Sequence, residues 1–205
     1  MNRYSLILYL FLFSSLLANA QLSGVVNIYT PVLTVTCNTI TVQSSAGFFA
    51  NDRVVIIQMQ GATIDTSQTN FFGTVLSIGN AGNYEFATVS IVSGNDISLK
   101  RSLKRNYDVA GKVQLIKVPH YTDATVTGAV TCQPWNGSTG GVVAIEVDSS
   151  LTLNADINVS GMGYRGGTIS NNPDGGCGTG SNLFGYDVNQ GVLAGMRAEP
   201  RREKE

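Results

Sequence analysis

From Leu151 to Val159 the chain alternates apolar and polar residues at every position. Leu151, Leu153, Ala155, Ile157 and Val159 fall on one side, and Thr152, Asn154, Asp156 and Asn158 on the other. A period of two is that of an extended strand with one buried face, and a one-residue slip would turn the whole apolar row to solvent. Val143, Ile145 and Val147 repeat the pattern one segment earlier. Two arrangements satisfy such a pair: neighbouring rungs of a parallel β-helix, or a hairpin. Periodicity alone does not separate them.

The rest of the chain carries the same signature. No apolar stripe at helical spacing precedes the C-terminal tail. Val, Ile and Thr fill the periodic segments, and Gly, Asn, Asp and Ser separate them. Candidate strands are 25–28, 33–36, 39–42, 53–58, 73–78, 84–92, 96–99, 112–118, 124–126, 141–147 and 151–159. The turn at 79–83, Gly-Asn-Ala-Gly-Asn, predicts a hairpin joining 73–78 to 84–92, and Ser93-Gly94-Asn95-Asp96 predicts the next one. Sequential hairpins of this kind form a small barrel or sandwich. The expected class is therefore all-β: a small β-barrel or sandwich, the first rungs of a β-helix-like segment, then a Gly-rich irregular region. The boundaries expected are N-terminal strands at 21–45, interrupted by Pro31, a barrel or sandwich at 46–118, and the β-helix-like segment at 119–160. A Gly-rich segment follows at 161–196, with nine glycines between 161 and 185, and then a tail at 197–205 with seven charges in nine residues.

Residues 1–20 read as a leader. Arg3 is the single charge of a short first region, an apolar run spans 6–17, and Ala18-Asn19-Ala20 is an A-x-A cleavage signal, so Gln21 is the expected mature N-terminus. The run is too short for a transmembrane span. The mature chain is expected to be exported through a Sec-type route to the cell surface or beyond, with no transmembrane segment.

Composition excludes several functions. Lys and Arg number 13 against 14 Asp and Glu, and a net charge of −1 argues against a general nucleic-acid binder. The three cysteines, Cys37, Cys132 and Cys177, are too far apart for CxxC chemistry, and with one histidine, His120, no metal set is expected. Cys37–Cys132 is the expected pairing if a disulfide forms, since both flank strands; buried thiols are the alternative. Gly161-Met162-Gly163-Tyr164-Arg165-Gly166 matches G-x-G-x-x-G after a strand, but Asn172-Pro173-Asp174-Gly175 follows where the phosphate-binding helix should begin. No cofactor is expected. There is no G-x-S-x-G elbow, and Asp52, Asp65, Glu85, Glu146 and Asp148 have no spacing that marks a catalytic pair, so no catalytic residue is assigned. Lys100, Arg101, Lys104 and Arg105 form the one basic cluster, suited to phosphate or acidic glycans or else a solvated loop. Trp135 and Asn136 lie in a Gly-rich loop. There the indole either stacks on a sugar or caps the β core.

Several segments taken in order resemble a known family. They are Ile56-Ile57-Gln58-Met59-Gln60-Gly61-Ala62, Asn80-Ala81-Gly82-Asn83-Tyr84-Glu85, Val113-Gln114-Leu115-Ile116-Lys117-Val118-Pro119, Pro134-Trp135-Asn136-Gly137-Ser138-Thr139-Gly140-Gly141, and the alternating run continued through Tyr164-Arg165-Gly166-Gly167. Across roughly 24–167 the chain resembles the N-terminal region of large exported surface proteins of Bacteroidota-type bacteria, many of which end in gliding-motility-associated or type IX secretion sorting domains. The resemblance implies an adhesive or surface-layer role, glycans or cell-surface components as partners, and no transferable catalytic residues. Such proteins continue for hundreds of residues, so a truncated or frameshifted product is expected here. A natural short form with a charged tail is the alternative. A carbohydrate-active β-helix enzyme or glycan-binding module, and a non-functional remnant, are the other function classes.

Overall fold

A computed structural model describes residues 20–164 apart from residue 68. The described chain is all-β. Its strands are β1 (Ala20–Val25), β2 (Ile28–Val35), β3 (Thr39–Val42), β4 (Arg53–Gln58), β5 (Thr63–Ile64), β6 (Val75–Ser77), β7 (Tyr84–Ser93), β8 (Asp96–Leu99), β9 (Val113–Val118), β10 (His120–Thr131) and β11 (Glu146–Leu153). One 3-10 turn, η1 (Val109–Gly111), precedes β9.

Six strands close a barrel in the order β2-β3-β8-β7-β4-β9. Two of them turn its corners. The first half of β2 pairs with β9 and the second half with β3. Pro31 sits at that change of partner, where a residue without an N–H costs the ladder little. The Pro31 interruption expected from sequence is thus a bend inside one strand. β7 does the same, pairing with β4 through Thr88 and with β8 from Val89 onward. Closure removes every open edge, and the interior is filled by Val32, Ile40, Val42, Val54, Ile56, Val89, Ile97, Val113 and Leu115.

The remaining long strands make a parallel sheet, β1-β10-β11. Ala20 pairs with Ala124, and His120 with Glu146. The whole barrel is therefore inserted between the first and second rungs of this sheet. The expected unit at 21–45 divides accordingly: β1 is a rung, while β2 and β3 are barrel strands. Cleavage after Ala20 would shorten β1 by its first residue; the rest of the leader lies outside the described residues, as do 165–196 and the tail.

Neither arrangement left open for the two alternating runs is formed: Val147 and Leu151–Leu153 lie on the same strand, β11, which ends at Leu153 rather than Val159, and the parallel rung beside it is β10. Leu22, Val126 and Leu153 stand side by side across the three strands. Their exposures are 3%, 0% and 59%. The apolar row of the last strand faces the same way as its buried neighbours, but among the described residues nothing covers it.

Residues 142–147 explain why the earlier apolar run is continuous. Val142 and Ala144 pack on the barrel exterior with Tyr29, Val55, Ile116 and Val118. Val143, Ile145 and Val147 pack on the rung core with Leu22, Val126 and Val130. The segment is partly buried on both faces, a seam between barrel and sheet, with β11 starting only at Glu146.

One expected hairpin is not formed. β6 pairs with β5, not with β7. The 79–83 turn instead folds against β4, Gly82 N donating to Gln58 O and Gln58 N to Asn83 O, both at 2.9 Å. The β5–β6 arm carries exposed Phe71, Phe72, Leu76 and Ile78. The β7–β8 hairpin forms as expected.

Candidate recognition groove

The basic cluster follows β8 and is held in a fixed shape. Lys100 N donates to Thr88 O at 2.9 Å, and Leu103 N to Cys37 O at 2.8 Å. Glu85, on β7, accepts the backbone N–H of Lys104 at 2.8 Å and of Arg105 at 2.7 Å. The Tyr107 hydroxyl donates to the same carboxylate at 3.2 Å. Burial, then the Glu85 charge, pushes the Tyr107 phenol well above its ordinary pKa, so it stays a donor. Glu85 is thus spent on the loop backbone rather than on the lysines and arginines around it.

The loop and β7 enclose an open groove of about 390 Å³. Lys100, Arg101 and Lys104 line it together with Arg53, Phe86 and Thr88. The ion pairs among the described residues are Arg53–Glu146, Lys117–Asp52 and His120–Asp148, so the three loop cations have no carboxylate partner there. Phe86 is 51% exposed, and Tyr84, 55% exposed, meets it edge-on at 6.4 Å between ring centroids. The Arg53 guanidinium lies 6.0 Å from the Phe86 centroid and is held by Thr88 Oγ1 and by both Glu146 oxygens. Sequence spacing marks the cations but not Phe86 and Tyr84. Both alternate with Glu85 on β7, and which side of the wall they take follows only from barrel closure.

Arg105 is drawn away from this groove, its Nη1 donating to Asn83 Oδ1 at 3.1 Å. Trp135 is no surface platform. It is 4% exposed, stacked on Tyr164 at 5.4 Å, and its N donates to Met162 O. The Tyr164 hydroxyl in turn accepts from Gln60 of the barrel. Trp135 therefore caps the seam. Asn136 is exposed, but its Oδ1 accepts the N–H groups of Ser138 and Thr139, each at 2.9 Å, to shape the turn. Cys37 and Cys132 are unpaired, one exposed in the β2–β3 turn and the other buried. Cys132 lies close enough to Tyr29 to raise its phenol. The expected Cys37–Cys132 disulfide is not formed. Burial is the main reason the Tyr29 pKa is pushed up to about 12. Of the G-x-G-x-x-G segment, Gly161 lies in a turn at φ 72° and the last two residues fall outside the described ones.

The carboxylates weighed as catalytic pairs all have structural partners. Asp52 pairs with Lys117 at 2.8 Å, Glu146 with Arg53 at 2.7 Å and Asp148 with His120 at 2.9 Å. Asp65 accepts Ser67 N in a turn, and Glu85 holds the basic loop. Among the described residues no group of His, Cys, Asp and Glu is placed to hold a metal ion, and no helix is long and apolar enough to cross a membrane.

His120 offers a check on the β10–β11 register. The hydrogen bond to Asp148, followed by the charges of Asp148 and Glu146, raises its pKa. The contribution is present below the unfolded value of about 6.5 and is lost as pH rises through the folded value. His120 is the single histidine, so one imidazole resonance reports it. NMR titration is expected to place its midpoint above about 6.5, and Asp148→Asn to return it toward that value. A wild-type midpoint at or below it would contradict the pairing.

No family model matches the chain, and no curated protein matches it. Among solved structures it is similar to the Gp54 tailspike of Acinetobacter baumannii bacteriophage AP22, determined in complex with A. baumannii capsular saccharide, at 14% identity and a TM-score of 0.31 over 66% of this chain. It is also similar to the tailspike gp49 of Pseudomonas phage LKA1 (19%, 0.29, 71% of this chain) and to the Pseudomonas phage phi297 tailspike gp61 (10%, 0.32, 63%). The chain spans 24%, 24% and 19% of those proteins, respectively.

Proposed function

We propose that the chain is a non-catalytic recognition module of an exported surface protein, binding glycans through the barrel groove, and that it forms the N-terminal part of a larger polypeptide. The observation that carries this is the groove itself: cations without a carboxylate partner among the described residues, beside the exposed Phe86 ring, on the outside of a closed barrel. The apolar C–H face of a sugar ring packs on an aromatic face, while its hydroxyls and charges take hydrogen bonds from the rim. The engaged carboxylates support binding without turnover. The row at Leu151 and Leu153, left exposed among the described residues, supports a scaffold on which further rungs stack.

On a glycan array the chain is expected to retain glycans, and Phe86→Ala to weaken retention by about tenfold, or ~1.4 kcal/mol. Glycans recovered after incubation keep their length. Shortened glycans, or a Phe86→Ala variant that binds like wild type, would overturn the proposal.

A further inference from the structure

We infer that the groove takes an acidic saccharide, one bearing carboxylate or sulfate groups along its length; this rests on the recognition role proposed above and names its ligand class. The groove that Phe86 lines also presents Lys100, Arg101 and Lys104. Their backbone is anchored at Thr88, Cys37 and Glu85 while their side chains remain exposed without a carboxylate partner among the described residues. An anchored backbone lowers the ordering cost of binding, and unpaired Lys and Arg side chains make charge-assisted hydrogen bonds to carboxylate or sulfate oxygens. One acid in the groove, Glu85, is capped by two backbone N–H groups and a phenol. The other acid near it, Glu146, is paired with Arg53. The surplus is therefore positive locally, in a chain whose net charge is −1.

The aromatic part of the lining separates a sugar from simpler anions. Phe86, 51% exposed, gives the lining aromatic surface beside the Arg53 guanidinium, and Tyr84 meets it edge-on just outside the groove. A free phosphate has no use for that surface. A nucleic acid would find three unpaired cations in one short trough rather than a basic stripe along its backbone.

The test measures affinity of the full chain for oligogalacturonate, neutral dextran and double-stranded DNA, in wild type, in the triple variant Lys100→Ala/Arg101→Ala/Lys104→Ala, and in Arg105→Ala. The last removes a neighbouring charge outside the groove. Oligogalacturonate is expected to bind, to weaken by at least about tenfold in the triple variant and progressively with added salt, and to bind Arg105→Ala as it binds wild type. An unchanged melting temperature certifies the fold of each variant. Equal binding of dextran, unaffected by the triple variant, would overturn the acidic ligand class and leave glycan recognition standing. Binding of neither glycan would overturn both. Tighter binding of DNA would overturn both in favour of a nucleic-acid site.

Discussion

Replacing Gln114 with Ala is expected to destabilise the protein by about 3–4 kcal/mol. For a chain of this size that is on the order of 10 °C in melting temperature. Gln114 is fully buried on β9. Its Nε2 donates to Gly140 O at 3.0 Å and its Oε1 accepts Gly140 N at 2.8 Å. One amide thus satisfies both backbone groups of a loop residue with no strand to pair it. Truncation leaves a void and two buried polar groups without partners, which costs more than the bonds themselves. Gly140 is constrained from the other side. It sits at φ +101°, and a Cβ there would lie 2.6 Å from the carbonyl oxygens of both Gln133 and Pro134. Gly140→Ala therefore strains the same contact, and the double variant is expected to lose less than the sum of the two. Denaturant melts check both. Strict additivity, or a Gln114→Ala loss under about 1 kcal/mol, would show that the amide does not hold the loop. Glycan affinity of the folded fraction should not change, because the groove lies on β7 and the loop after β8.

Asn27→Ala is expected to cost about 3 kcal/mol and to loosen the junction where the chain leaves the first rung. Asn27 lies between β1 and β2 and is buried. Its Nδ2 donates to Lys117 O at 2.9 Å and to Ala144 O at 2.6 Å, and its Oδ1 accepts Ala144 N at 3.1 Å. A single side chain therefore ties the entry to the barrel, its exit strand and the seam. Without it, the tie at this junction rests on the apolar seam, the Tyr29 hydroxyl donating to Val142 O at 2.6 Å, and the Arg53–Glu146 pair, worth no more than about 1 kcal/mol; the Gln114–Gly140 bonds hold the barrel to a different loop. Limited proteolysis should show faster cleavage around 25–28 in the variant. Unchanged cleavage together with unchanged stability would contradict this role.

These two amides show where sequence reading stopped. The all-β class was legible because period-two alternation and Gly/Asn turns are local signals. The seam at 142–147 was legible as an extended apolar run, but not that its two faces serve different cores. The hairpin expected from 73–78 failed because turn chemistry at 79–83 fixes a bend without naming the strand it bends toward; β4, distant in sequence, supplies the partner. Trp135 in its Gly-rich loop read from sequence as either a sugar platform or a cap on the β core; the chain at 162–164, folding back over it, makes it the cap. The cations at 100, 101 and 104 were visible as a cluster. Their worth as a groove depends on Phe86 in the same lining, on Glu85 being occupied, and on Arg105 being drawn to Asn83, all of which are long-range facts.

The central claim is that recognition occurs on the barrel wall without chemistry. It is tested most directly by mapping amide shift changes by NMR while oligogalacturonate is titrated into the labelled chain, and by weighing the oligosaccharide afterwards. The account predicts changes clustered at Phe86, Thr88 and 100–104, with the oligosaccharide intact. Changes centred instead on His120, Glu146 and Asp148, or shortened oligosaccharide in the recovered solution, would contradict it.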